Sequence, residues 1–335
     1  MTPVDLSRSV VCALRRAVED GELPVGVVVP ERVVVERSRP GGVGDYASPV
    51  AFGVAKGAAV APRAVAEVLA PRLAGLAGIE RVEITGAGFL NFVLAESSVG
   101  EVVRGIRARG ASYGFAPGAG ETPGARETPG ADAFLDVPLG ALRERVVHAA
   151  VQRIVRSQGV EGGGVAAARI APVAKRDGDV RARYGVDGAA WAMLCVPGHE
   201  TPVFPAWLLV QDESSEFFRV RYAHSRARAL TRNAEQLGFQ SEPGEVPGAG
   251  ALLGALRDHP LVLEAAAHHR APERLVRQLV VLADALLDFQ YHVLPQGDEK
   301  PSAAHRARLA LAEAAGTVLA GGLALLGIDA PDHYL

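Results

Sequence analysis

The sequence predicts two folds in one chain, an α+β domain built on a small antiparallel sheet followed by an all-α helical bundle. Three observations predict them. In the first part, up to residue 114, short β-branched runs alternate with helical periods and glycine turns. From Asp187 onward every apolar period is helical. Between them, Phe115 to Ala131 repeats Glu-Thr-Pro-Gly-Ala at Glu121 and Glu127, in a stretch too rich in glycine and proline for a packed core. The division is therefore a domain at 1–114, a mobile linker at 115–131, a connecting region at 132–200 and a bundle at 201–335.

The elements follow in order. Thr2, Pro3 and Asp5 read as a helix start, Leu6, Val10, Leu14 and Val18 as its apolar stripe, and Gly21 as its end. Val27 to Val29 and Arg32 to Glu36 are β-branched runs broken by Pro30, consistent with two strands. Ser38 to Gly44 is a glycine-rich loop. Pro62 to Leu76 has helical spacing. Arg81 to Ile84 and Phe89 to Leu94 form a hairpin turned at Gly86 and Gly88, and Val99 to Arg109 closes the domain as a helix. Beyond the linker, Leu139 to Gln158 is helical and Val165 to Arg183 has no clear period. Helical stretches are then expected at Trp191 to Cys195, Glu213 to Leu237, Ala249 to Arg257, Leu261 to His268, Pro272 to His292 and Ser302 to Leu326. Pro295, Gly297 and Pro301 break the last two apart.

With 335 residues, 49% of them hydrophobic, the chain has material for a sizeable core. A formal charge of −3 leaves no general basic excess, so any nucleic-acid surface has to be local. Lysine occurs only at Lys56, Lys175 and Lys300, and arginine supplies the other basic side chains. Cys12 and Cys195 are isolated, without the spacing of a zinc site or a disulfide framework, which fits a reducing cytoplasm and no metal. No basic-then-apolar leader is visible, and the apolar stretch Ala314 to Ile328 is short and interrupted by glycines, so no membrane association is expected.

Local positive charge concentrates in Phe217 to Leu230, FFRVRYAHSRARAL. At helical spacing Arg221, Ser225, Arg228 and Arg232 share a face with His224 beside them, while Tyr222, Ala223, Arg226 and Leu230 share another. One face can meet phosphate and the other can dock, and Asp212, Glu213 and Glu216 lie where the positive end of the helix dipole would be. A solvated charged face is the plainer reading of the same residues. Elsewhere no catalytic constellation is visible. His268 and His269 are adjacent and do not share a helical face, Gly41 to Gly44 lacks the lysine and hydroxyl of a phosphate loop, and His148, His199, His259 and His305 lack a nucleophile or carboxylate partner.

Tyr222-Ala223-His224-Ser225-Arg226 is similar to the Tyr-Ala-His-x-Arg signature opening the anticodon-binding domain of arginyl-tRNA synthetases. Three more groups of residues agree in the family's order: Ala283-Asp284-Ala285-Leu286-Leu287-Asp288-Phe289 with Tyr291-His292-Val293-Leu294, the near-terminal Leu325-Leu326-Gly327-Ile328-Asp329-Ala330-Pro331, and a set near the front. That front set, Gly44-Asp45-Tyr46-Ala47, Ala61-Pro62-Arg63 and Gly86-Ala87-Gly88-Phe89-Leu90-Asn91-Phe92, resembles the family's N-terminal tRNA-binding domain. The resemblance implies a bundle of the arginyl-tRNA synthetase anticodon-binding type.

The same resemblance exposes what is missing. Those enzymes carry a nucleotide-binding catalytic domain between the two tRNA-binding domains, and the interval here is too short for a doubly wound sheet. Pro138-Leu139-Gly140-Ala141-Leu142-Arg143 looks like a relic of the family's His-x-Gly-His-Leu-Arg segment with both histidines replaced, by Pro138 and Ala141, and neither replacement can donate to the phosphates of ATP. No Lys-Met-Ser-Lys-like loop follows, and Ala190 stands where the segment after that loop usually has arginine.

The expectation is thus a non-catalytic tRNA-binding protein without a cofactor, its ligand an arginine-acceptor tRNA held at the D-loop corner and the anticodon arm. In the front domain the resemblance implicates Asp45, Tyr46, Phe89 and Asn91, with Asn91 the better candidate for a base contact because alternation along the strand sends at least one of Phe89 and Phe92 into the core. In the bundle it implicates Arg221, Tyr222, His224, Arg226, Arg228, Arg232, Tyr291, His292, Arg306, Arg308 and the near-terminal Tyr334. The alternative is a protein-interaction module that uses the bundle to dock a full-length synthetase or another protein.

Overall fold

The computed structural model describes residues 3–24, 26–38, 42–58, 60–94, 99–119, 138–160 and 170–334. Most of the expected linker, 120–131, lies outside the described residues. The chain divides into two compact units, Met1–Ser97 and Ser98–Leu335.

In the first unit, α1 (Pro3–Glu19) buries Leu6, Val10, Leu14 and Ala17 completely, three of them from the expected stripe. It packs on α3 (Pro62–Ala74), which starts with proline at its first turn and buries Val65, Ala66, Leu69 and Leu73. Between them in the chain, α2 (Val50–Ala58) packs on α3 and on β4. The sheet is antiparallel, in the order β1-β2-β4-β3, with β1 at Glu36–Arg37, β2 at Tyr46–Ser48, β3 at Ile79–Thr85 and β4 at Phe89–Leu94. Leu90 and Phe92 are fully buried on one face of β4. Glycine is required at two close approaches. A Cβ on Gly44 would lie 2.7 Å from the Phe92 carbonyl oxygen, and one on Gly88 would lie 2.8 Å from the Pro62 carbonyl carbon, both at positive φ.

The expected strands over Val27 to Val29 and Arg32 to Glu36 do not form; only Glu36 falls in a strand, the two-residue β1. Val27, Val33 and Val35 are nonetheless buried. Side-chain hydroxyls take up backbone carbonyls there in place of a partner strand: Ser7 Oγ donates to the Val33 oxygen and Ser48 Oγ to the Val34 oxygen, each at 2.7 Å. The β-branched pattern reported burial rather than pairing.

The second unit begins with α4 (Val99–Arg109), which was expected to close the first domain but packs on helices of the bundle. Its stripe of Val99, Val103 and Ile106 is buried in the same core as α5 (Leu139–Ser157) and α6 (Val180–Leu194). Phe115, placed in the linker from composition, is buried there too, and Ala116 N donates to the Ser157 oxygen at 2.9 Å. Then come α7 (Glu216–Gln236), α8 (Gly250–His269), α9 (Pro272–Phe289) and α10 (Ala303–Leu326). Two helices were expected where α8 runs unbroken through Pro260; the proline costs one backbone hydrogen bond, while the apolar faces on both sides of it stay buried, with Leu252, Ala255, Leu256 and Leu263 in the core.

Helix α10 is the centre of the unit, touching α4, α5, α6, α7, α8 and α9. By length and composition it could cross a membrane, but 78% of its most apolar stretch is buried inside the unit. Its glycines set the packing distance. A Cβ on Gly316 would meet Ala227 Cβ of α7 at 2.7 Å, one on Gly321 the Ala111 oxygen at 2.5 Å, and one on Gly322 Leu279 Cδ2 of α9 at 2.5 Å.

Candidate nucleic-acid interface

Helix α7 opens with Ser215 as its cap, the buried Oγ accepting from Phe218 N at 3.3 Å. Its docking side is built from arginines as well as apolar groups. Arg219 Nε donates to Asp284 of α9 at 2.8 Å, and Arg226 Nε donates to Gln290 Oε1 at 2.6 Å, at the end of α9. The Ala283-to-Phe289 segment is thus half of the α7–α9 interface, with Asp284 as its ionic part. Tyr222 stacks on Phe218 with ring centroids 5.3 Å apart.

The other side of α7 is covered. The chain leaves α10 through Gly327 in the left-handed region, buries Ile328, and runs residues 329–334 back along the basic face. Arg221 Nε donates to the Asp329 oxygen at 3.2 Å, and its guanidinium lies 3.6 Å from the carboxylates of both Asp187 and Asp329. His224 Nδ1 bonds the Pro331 oxygen at 3.0 Å; since a carbonyl only accepts, that nitrogen carries the proton. Arg228 Nε donates to the Asp332 carboxylate at 3.0 Å, and Arg232 donates to the Asp332 oxygen at 3.3 Å. Tyr334 sits edge-on to Phe218 at 5.1 Å, with the Arg221 guanidinium 5.6 Å from its ring.

Arg221, Ser225, Arg228 and Arg232 therefore share a face as their spacing requires, but the face that was expected to be open to phosphate already holds carbonyls and carboxylates of the chain's own tail. Charge complementarity between that face and Asp329 and Asp332 holds the segment there; both carboxylates stand in the sequence, but no local pattern assigns them to this helix. Burial lowers the His224 pKa below the ordinary histidine value, the Pro331 carbonyl opposing it, and burial raises that of Asp187, opposed by Arg221. Beside the tail, a cavity of about 690 Å³ opens between α7 and α10, its polar lining including Arg107, Thr231 and Glu313. Arg107 and Ser241 both donate to Glu313 Oε2, at 3.0 and 2.5 Å, although Ser241 itself does not line the cavity.

Other expected contact residues are distributed unevenly. Tyr291 is 67% exposed and His292 is exposed, its carbonyl accepting from Arg308 at 3.2 Å. Arg306 is half-buried. In the first unit the order of preference reverses. Asn91 is buried and its amide is committed to Thr85 Oγ1 at 2.7 Å and to the Glu83 oxygen at 3.3 Å, as a polar group inside a sheet must be, whereas Phe89 is 42% exposed and packs one side on Phe52. Tyr46 is buried; Asp45 is exposed and its carboxylate accepts from Leu94 N at 2.9 Å.

Sequence reading also missed the role of a buried arginine. Arg143, the last residue of the segment resembling the ATP-binding motif, is fully buried and donates to backbone oxygens of Ala171, Met193, Val196, Pro197, Gly198 and Glu200, pinning the loop after α6. Burial lowers its pKa below the usual arginine value. Among the described residues no group of histidines, cysteines and carboxylates is placed to hold a metal.

Residues 220–333 match the DALR anticodon binding domain, and residues 5–94 match the arginyl tRNA synthetase N terminal domain. An arginine–tRNA ligase of Frankia alni is 45% identical over 164 residues; the match covers 49% of this chain and 29% of that protein, so the chain spans under a third of the length of this relative. The Thermus thermophilus arginyl-tRNA synthetase structure is similar in fold, with a TM-score of 0.59 at 14% identity over 99% of this chain and 100% of that one.

Proposed function

From a chain that carries the N-terminal domain of arginyl-tRNA synthetases together with a DALR anticodon-binding domain, we propose a tRNA-binding protein that does not aminoacylate. The carrying observation is the interval between the two matches. Residues 95–219 hold α4, α5 and α6, their described part contains no strand, and all three helices are spent on the core of the bundle. A nucleotide-binding sheet needs parallel strands, and the described residues of this interval supply none. The ligand in this reading is a folded tRNA, an arginine acceptor, with the first unit on its D-loop corner and the bundle on its anticodon arm. Two modest footprints on one rigid ligand add through effective concentration, so a net charge of −3 is no obstacle.

Phe89, rather than Asn91, is the aromatic surface that the first unit offers to a splayed base. Filter binding against several purified tRNAs across a salt series tests both points. Wild type should bind, and Phe89→Ala should weaken the preferred tRNA by about 1–2 kcal/mol without altering the salt slope, as for a stacking contact. Absence of binding to every tRNA at low salt would discard this reading. The protein-partner reading would then lead, supported by the exposed apolar run Val203, Trp207, Leu209 and Val210 before α7.

A further inference from the structure

Beyond Ile328, none of the described tail residues is buried, yet the segment 329–334 lies along the basic face of α7 that carries Arg221, Arg228 and Arg232. We propose that residues 329–334 are a displaceable internal stand-in for RNA phosphate on α7, so that nucleic acid gains that face only by lifting the tail. The inference rests on the tRNA-binding reading and adds a device that sets its affinity.

Three observations carry it. The partners of Arg221, Arg228 and Arg232 are carbonyl and carboxylate oxygens, the acceptor chemistry that a phosphodiester presents to guanidinium groups. Their hold is weak where it is most exposed: the Arg228 and Asp332 side chains are 54% and 61% accessible, so salt screens the pair and a polyanion can compete for it. Finally, Tyr334 caps Phe218, which is itself stacked on Tyr222. Lifting the tail would therefore uncover Phe218, an aromatic ring beside Arg221 on the helix that carries Arg228 and Arg232, and base stacking on such rings next to cationic groups holds single-stranded loops.

The segment is tied at its root, where Ile328 is buried and Asp329 N donates to the half-buried Asp187 at 3.4 Å, and at its middle, where the Pro331 oxygen accepts from the buried His224 at 3.0 Å. Lifting it breaks the His224 bond and leaves α10, which ends before Gly327, in place.

The test is filter binding of an arginine-acceptor tRNA, from low to moderate salt, to wild type, Asp332→Asn and a chain ended after Ile328. Circular dichroism melts confirm that each variant folds. Asp332→Asn should bind about threefold tighter, the size of one screened surface pair. The shortened chain should bind about tenfold tighter, with a salt slope steeper by up to about 0.9 for each arginine released. Wild-type affinity and slope in both variants, with wild type binding, overturns the tail proposal and leaves the tRNA reading standing. Failure of all three chains to bind overturns both. Should the shortened chain not fold, Asp332→Asn decides, since its side chain is exposed and its loss opens no cavity.

Discussion

At the scale of single residues, the polar groups of this protein divide by burial, and burial decides their chemistry. His259 of α8 is 2% exposed and stacked on Tyr113 with ring centroids 6.2 Å apart, and burial pushes its pKa down to about 4. A histidine held neutral in the fold and free to protonate when unfolded gives stability that is complete above about pH 6.5 and lost as pH falls toward 4. The difference of about 2.5 units is about 3 kcal/mol. Chemical denaturation of wild type and His259→Phe at pH 7, 5 and 4 should show that much less acid destabilisation in the variant, which keeps the ring stack. Equal acid sensitivity would mean that His259 is not the group responsible. Asn91 and Arg143 teach the same lesson. Each is a residue type that binds nucleic acid when exposed, and each instead satisfies backbone oxygens inside its unit.

At the scale of elements, α10 shows why a helix rich in glycine can be the centre of a bundle. Alanine is favoured over glycine in a helix by about 1 kcal/mol, so Gly321→Ala would stabilise an isolated helix. In this fold the added Cβ would lie 2.5 Å from the Ala111 oxygen, a backbone atom that cannot rotate away. The expected outcome is a net loss of about 1–3 kcal/mol by urea denaturation, the cost of overpacking a core. A neutral or stabilised variant would show that the segment holding Ala111 yields more easily than close packing implies. Spacing along α7 was legible in advance, because helical periodicity places Arg221, Ser225, Arg228 and Arg232 together whatever surrounds them. What would cover that face was not, since periodicity says nothing about a segment a hundred residues away.

For the molecule as a whole, the proposed function turns on the interval 95–219, whose described residues form helices and no strand. Pyrophosphate exchange with arginine, ATP and tRNA should stay at background, and changing Pro138 and Ala141 to histidine should not raise it, because the described residues of the interval form no strand to aim the imidazoles. Exchange above background in wild type would sink the non-catalytic reading. The adjoining Arg143 is a further obstacle to restoring that motif, being committed to six carbonyls.

The sequence alone determined the α+β unit and the bundle, the bounds of most helices and the grouping of the basic residues, because each follows from local period, turn chemistry or short motif. It also carried the resemblance in both flanks. Tertiary structure alone decided that α4 belongs to the bundle, that β-branched runs near Val33 are buried without pairing, that Asn91 turns inward while Phe89 stays out, and that residues 329–334 lie on α7. Each of those outcomes depends on which distant group reaches a given backbone oxygen or apolar face first. That competition is settled by packing and charge between segments far apart in the chain, which no local pattern records.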